Sequence, residues 1–406
     1  MKKLITLFTL VFFLAPSVSN AAMVSLTGFE VGTTGETAAI AGSVAPTVQT
    51  TTVHSGTYAL RVNPTTFQTS NYRLGGAAAT GAITVWSLAT GYYKFMFRAA
   101  TLPATEEPML SFLTAGVSTQ WTLRIDSSGV LHVYNNSGTD VGSGCSIATN
   151  TWYRLNIQST FNSTTGTAIV DVDGTNCINL SSIATDAASN VNAFLVLGKV
   201  ANINSNTVDF FYDDVWVDSA TAHGLTKIVA VNPDTNGATM QWTAGTGGSD
   251  YQEVDEAAAD DADYVQSTAG ADVARFGFET FANAGGSGTI NGIKHFVRLA
   301  EVTTGTSARI IRLVSGGTTS DTTSADAGSA TFVGANQFFE TDPNTGAAWT
   351  ETNLNAVEAG IVDNSGTVRL RMGYGSLQVD YTEPVASTGE EDDFDWWWIW
   401  LFGGWF

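Results

Sequence analysis

The sequence predicts an all-β protein: two antiparallel, jelly-roll-like β-sandwiches, with one short helix in the second and an aromatic tail. Three observations carry this. The apolar runs are short, rich in Val, Ile, Thr and aromatics, and broken by Gly, Asn, Ser or Asp roughly every 8 to 12 residues. Several runs alternate with period two, and turn dipeptides sit between them.

The alternation is clearest in WTLRID, where Trp121, Leu123 and Ile125 share one face while Thr122, Arg124 and Asp126 share the other. In TWYRLNIQ, Tyr153, Leu155 and Ile157 fall on one face and Trp152 on the opposite one. Such a strand packs one face on a core and shows the other to water, as in a sandwich. Hairpin signals follow at Asp126-Ser127-Ser128-Gly129, Asn135-Asn136-Ser137-Gly138 and Asp173-Gly174. The last is the dipeptide a type I′ turn prefers, because both central residues need positive φ.

The chain divides into four stretches. Residues 1–22 have Lys2 and Lys3, an apolar run over 4–15 and small residues to Ala22, the pattern of a secretory signal. That run is shorter than the roughly 20 residues a membrane span needs. The expectation is an exported protein, periplasmic, surface-bound or extracellular. Residues 23–220 form the first sandwich, ending in VDFFYDDVWVDS, and 225–383 form the second. In the second, WTETNLNAVEAG predicts a short helix with Thr350 as N-cap, Trp349 and Leu354 as a hydrophobic staple, and Gly360 at its end.

Residues 384–406 are an acidic spacer followed by WWWIWLFGGWF. Trp396, Trp397, Trp398, Trp400, Trp405 and Phe406 make this a candidate anchor or docking peptide, because tryptophan favours membrane interfaces. It offers a route to self-association or to a surface partner, and is too short to span a bilayer.

Two cysteines, Cys145 and Cys177, in an exported chain predict one disulfide, worth roughly 3 kcal/mol in the chain-entropy picture. The alternative is two unrelated thiols. A net charge of −21 and the lack of a basic stripe argue against a nucleic-acid partner.

A further set of segments carries a resemblance. GFEVG near the start, HSGTYALRV some 25 residues on, TWYRL before a hairpin with DVDG, and the closing FYDDVWVDS together resemble the concanavalin A-like lectin/glucanase superfamily, in its laminin-G-like branch. The resemblance covers about 24 to 220 and implies a jelly roll. The family holds lectins, carbohydrate-binding domains, adhesion modules and glucanases, so fold alone does not choose among them. YQEVDEAAADDADYVQS, WTETNLNAVEAGI and LQVDYTE make the second sandwich similar to a domain of phage structural proteins.

Glucanases of this superfamily carry a strand in which Glu, Asp and Glu alternate into one cleft. The first sandwich has none; its nearest pairs are Asp171 with Asp173 and Asp213 with Asp214. The expectation is therefore a non-catalytic protein that binds a glycan or matrix polymer and serves adhesion. Its rivals are a structural or assembly protein and a divergent polysaccharide hydrolase or lyase. Trp152, Tyr153 and Tyr134 are the candidate sugar-stacking residues. Glu253, Asp255, Asp260, Asp261 and Asp263, in a stretch with no cation, are read as a solvated loop or as calcium ligands, since calcium takes six to eight oxygens from flexible loops.

Overall fold

The alternating segments become strands whose faces follow their pattern. A computed structural model of the chain describes residues 23–36, 39–75, 86–186, 189–200, 206–282, 288–302, 307–322, 325–326, 329–365 and 368–383. The signal-like segment 1–22 and the aromatic tail 384–406 lie outside the described residues. The fold is all-β, with antiparallel sheets throughout.

Strands between residues 23 and 218 build two sheets. The eight-stranded sheet runs, edge to edge, Thr175–Ile183, Gly166–Val172, Tyr153–Thr160, Thr90–Thr101, Asp209–Asp218, Ala59–Val62 and Thr47–Gln49, with Met23–Thr27 also pairing on Asp209–Asp218. The seven-stranded sheet runs Asp140–Ser146, Val130–Tyr134, Thr119–Ile125, Glu107–Leu113, Phe194–Lys199, Ser70–Gly75 and Ala39–Gly42. Trp121, Leu123 and Ile125 are fully buried between the sheets, while Arg124 is half-buried on the outer face. Two polar contacts cross the core: Trp121 Nε1 donates to Ser159 Oγ at 2.9 Å, and the Tyr212 hydroxyl donates to Met109 O at 2.6 Å. They satisfy groups whose burial unpaired is costly.

Asp173 and Gly174 have φ of 51° and 85°, the double positive φ that a type I′ hairpin requires. Cys145 and Cys177 form a disulfide with Cα atoms 5.2 Å apart. They lie on edge strands of opposite sheets, so the bond closes one open side of the sandwich. Gly144 permits this approach, because a Cβ there would lie 2.1 Å from Cys177 O.

Strands between residues 227 and 382 build the other two sheets, centred on Leu370–Thr382 and Glu358–Asp363. The predicted helix is reduced to one turn, Glu351–Leu354, because residues from Glu358 pair as a strand with Val273–Phe278 and Ala308–Ser315. Its start is as expected: the Thr350 side chain accepts from Asn353 N, and Trp349 and Leu354 are buried in one cluster. Gly360 lies inside the strand, where a Cβ would meet Ala274 O at 1.9 Å, and so does not end the helix.

The two pairs of sheets share a buried polar seam. Lys94 Nζ donates to Thr226 O at 3.1 Å and Oγ1 at 2.5 Å. Lys294 Nζ donates to Leu26 O at 2.6 Å and to Glu36, which also accepts from Gln378 Nε2 at 2.7 Å. Met23, Leu26, Trp216 and Ile228 pack as an apolar cluster beside these bonds.

Candidate functional site

Three of the four signature segments of the first sandwich meet at a buried knot of carboxylates. Glu30 of GFEVG accepts the Thr57 and Tyr58 N–H groups of HSGTYALRV at 2.9 and 3.2 Å. Asp213 of FYDDVWVDS accepts the His54 N–H at 2.8 Å, and Asp214 accepts the Ser55 hydroxyl at 2.5 Å and the Ile228 N–H at 2.7 Å. Gly56 is required here: its φ is +63°, and a Cβ would lie 2.2 Å from Glu30 Oε1. Burial pushes the Glu30 carboxyl up to about 8, reinforced by Asp214 and Glu36, and raises Asp213 well above the carboxylate range. This knot joins chain segments and belongs to the scaffold.

The solvent side of the seven-stranded sheet carries different chemistry. Leu131 and Val133 point inward, so period two turns His132 and Tyr134 outward, and register sets His132 opposite Arg124 and Tyr134 opposite Thr122 and Asp140. Glu106 stands just before the neighbouring strand. The Tyr134 hydroxyl donates to Glu106 Oε2 at 2.9 Å, and Arg124 Nη1 lies 3.4 Å from Glu106 Oε1 with its guanidinium 3.5 Å over the Tyr134 ring. His132 Nδ1 lies 3.0 Å from Asp140 Oδ2, and its Nε2 lies 3.6 Å from Asp126 Oδ2.

The environment orders these groups. Burial and the Glu106 carboxylate push the Tyr134 phenol up to about 12, so it stays protonated and donating. Burial also acts to raise Asp126, but the Val130 and Ser128 N–H groups and His132 outweigh it and hold the carboxyl below its ordinary range. Beside the cluster opens a groove of about 620 Å3, partly continuous with solvent, lined by Pro108, Thr122, Arg124, Asn135, Asn136 and Val200. Single ligand atoms of Glu106, His132 and Asp140 all lie within 4.8 Å of one another. A set of one imidazole and two carboxylates suits a divalent transition metal better than calcium, whose sites are built of oxygen.

The residues expected from sequence are dispersed. Tyr134 belongs to this cluster. Tyr153 lies in the other sheet, packs on the core and accepts the Ala148 N–H with its hydroxyl at 3.0 Å; Trp152 is half-buried and edges His54 at 5.8 Å. They do not form one sugar platform.

Among the described residues no three of the expected calcium set bring ligand atoms within metal-binding distance, although Asp255, Asp260 and Asp263 lie close enough to Glu256 to add to the burial that pushes its carboxyl up to about 7. Glu253 accepts the Thr246 and Gly248 N–H groups at 3.0 and 2.9 Å and pins that loop. Asp261 pairs with both ends of the Arg298 guanidinium at 2.9 and 2.8 Å, and Asp260 caps the Ala262 N–H at 2.5 Å. Burial raises Asp255, and Asp263 is half-buried nearby. Glu253, Asp260 and Asp261 thus serve separate, local structural tasks, and the convergent group among the described residues is Glu106, His132 and Asp140.

No protein-family model matches the chain, and no curated protein matches it. Among solved structures it is similar to two sialidases, one of them from Trypanosoma rangeli, at 11 and 12% identity and TM-scores of 0.32 and 0.30, over 45 and 43% of this chain. It spans only 17 and 27% of their length. An alginate lyase matches 41% of this chain and 84% of its own, at 13% identity and a TM-score of 0.29. A carbohydrate esterase of the Shiga toxin-encoding bacteriophage phi24B is matched over 100% of its length and 50% of this chain, at 13% identity and a TM-score of 0.35.

These neighbours are carbohydrate-active enzymes by name, and the expectation of a non-catalytic adhesion protein is corrected accordingly. At such scores the likeness concerns strand architecture, so the chemistry has to come from the site's own residues.

Proposed function

We propose that this protein is a carbohydrate-active enzyme that hydrolyses a glycan lying across the outer face of the seven-stranded sheet. The observation that carries this is the placement of two hydrogen-bonded pairs, Tyr134 with Glu106 and His132 with Asp140, beside an open groove. The first pair of sheets serves as a concanavalin A-like jelly-roll scaffold, and the chain acts after export.

The roles follow from the contacts. Glu106 accepts hydrogen bonds from a phenol and a guanidinium that hold its carboxyl beside the groove, and it is assigned as the base. His132, flanked by Asp126 and Asp140, stands beside it and is assigned as the acid. In the reaction the His132 proton passes to the glycosidic oxygen as that bond to the anomeric carbon breaks. Water adds its oxygen to the same carbon and gives its proton to Glu106, and exchange with solvent restores both groups. Asp140 orients the imidazole through Nδ1, and Arg124 and Tyr134 position Glu106.

The test is release of reducing ends from a panel of neutral and acidic polysaccharides by the full chain, compared with Glu106→Gln and His132→Ala. Hydrolysis yields saturated ends; unsaturated ends, seen by their ultraviolet absorption, would assign elimination instead.

A further inference from the structure

The outer face of the eight-stranded sheet holds a second cleft, on the opposite side of the sandwich from the proposed catalytic groove. Its floor is set by register across four strands. One row runs Asp171, Asn156, Lys94, Trp216, and the next runs Ile169, Gln158, Tyr92, Asp218. Because side chains of one row share a face, an aromatic and amide surface is laid down between Gly166–Val172 and Asp209–Asp218.

One wall is the segment 220–223. Asp218, buried, draws it in by accepting the Ala220 and Thr221 N–H groups at 2.6 and 3.1 Å and pairing with His223 Nε2 at 3.1 Å. His223 lies against Trp216 with ring centroids 3.9 Å apart. The cleft is partly open, and its roughly 360 Å3 of empty space runs out into solvent, so a ring would lie across its mouth rather than inside it.

Two polar atoms in this lining are buried without a hydrogen-bond partner among the described residues: Trp216 Nε1, on a side chain only 2% exposed, and Asn156 Oδ1. A buried donor and a buried acceptor left open in one small cleft are costly unless something enters to meet them. The charged groups are otherwise engaged. Lys94 is turned to Thr226 and His223 to Asp218, while Asp171 accepts from Asn176 Nδ2 at 2.7 Å. With no cation left to face it among these residues, an anionic group has nothing to pair with. The remaining features are an aromatic ring at Tyr92, amides at Asn156 and Gln158, and an indole N–H, a combination that recognises neutral hydroxyl-bearing rings.

We infer that this cleft is a second carbohydrate site, which holds one neutral hexopyranose unit of a glycan chain apart from the site of cleavage. It stands independently of the hydrolytic reading.

The experiment is isothermal titration of the full chain with neutral hexaoses of glucose, mannose and galactose, each titrated also into Trp216→Phe and Asn156→Ala. Trp216→Phe keeps an aromatic ring but removes the indole N–H. Asn156→Ala alters only an outward strand position, so it keeps the test sound should the first variant fold poorly. The expected result is binding of at least one hexaose, weakened about tenfold or more in a variant whose melting temperature stays close to that of the parent. Absence of binding to all three hexaoses would overturn the inference. So would binding that survives in both variants, since that would place the sugar elsewhere, for instance in the groove beside Arg124.

Discussion

The Tyr134 hydroxyl donates to Glu106 at 2.9 Å, across the outer face of a sheet whose inner face is the hydrophobic core. The contact fixes the carboxylate next to a groove and leaves it accepting from both Tyr134 and Arg124. Tyr134→Phe removes one donor without disturbing the core. It is predicted to lower kcat by about tenfold to a hundredfold while KM changes little, because the base is then no longer held in place. An unchanged kcat would show that Tyr134 does not position the base.

A divalent transition metal at Glu106, His132 and Asp140 would occupy the imidazole that the hydrolytic reading needs for proton transfer. Micromolar zinc is therefore predicted to inhibit cleavage, with full recovery on adding chelator. Activation by zinc, or activity lost in chelator alone, would point to a metal-dependent reaction.

Glu30 gives the scaffold a pH dependence of known sign. Its folded pKa, about 8, lies above the unfolded value near 4.5, chiefly through burial. The stability it contributes is complete below the unfolded pKa and is lost as pH rises through the folded one. In chelator, the melting temperature is predicted to fall between about pH 5 and pH 9, and Glu30→Gln to flatten that slope. A melting temperature that climbs through this window in the parent would contradict the burial argument.

Asp214 ties the first pair of sheets to the second through the Ile228 N–H and to the HSG turn through Ser55. Asp214→Ala removes a buried acceptor from Ser55, Ile228 and His54, leaving Ser55 and Ile228 only their longer mutual bonds at 3.1 and 3.3 Å, and is predicted to cost about 2–4 kcal/mol, read from denaturant midpoints. Reducing the Cys145–Cys177 disulfide, which closes 32 residues of chain, is predicted to cost roughly 3–4 kcal/mol. Since that bond holds the edge strand next to His132, reduction should also lower activity before the protein unfolds; equal activity of the reduced and oxidised forms would separate the edge from the site.

Much of the scaffold can be read from the sequence because it follows local rules. Alternation places Trp121, Leu123 and Ile125 in the core, and Asp173-Gly174 marks its turn through positive φ. The helix expected over 349–360 is too long, because tertiary pairing turns everything from Glu358 into strand despite good capping. The site is harder. Its members Glu106, Arg124, His132, Tyr134 and Asp140 fall within one meander, and their shared outward parity is a signal that period-two reading of consecutive hairpins can find. A search for the familiar Glu-Asp-Glu strand passes over it, since the groups come one or two from each strand. In the acidic run from Glu253 to Asp263, proximity in sequence concentrates charge, while peptide N–H groups and Arg298 take up several of its carboxylates separately.

Hydrolysis at the groove beside Glu106 and His132 is tested most directly by the yield of new reducing ends from a polysaccharide panel, measured for the parent chain and for Glu106→Gln and His132→Ala at matched melting temperature. Cleavage of at least one polysaccharide with saturated ends is predicted, falling about 10²- to 10⁴-fold in each variant. No cleavage across the panel, or cleavage that persists undiminished in both variants, would contradict it.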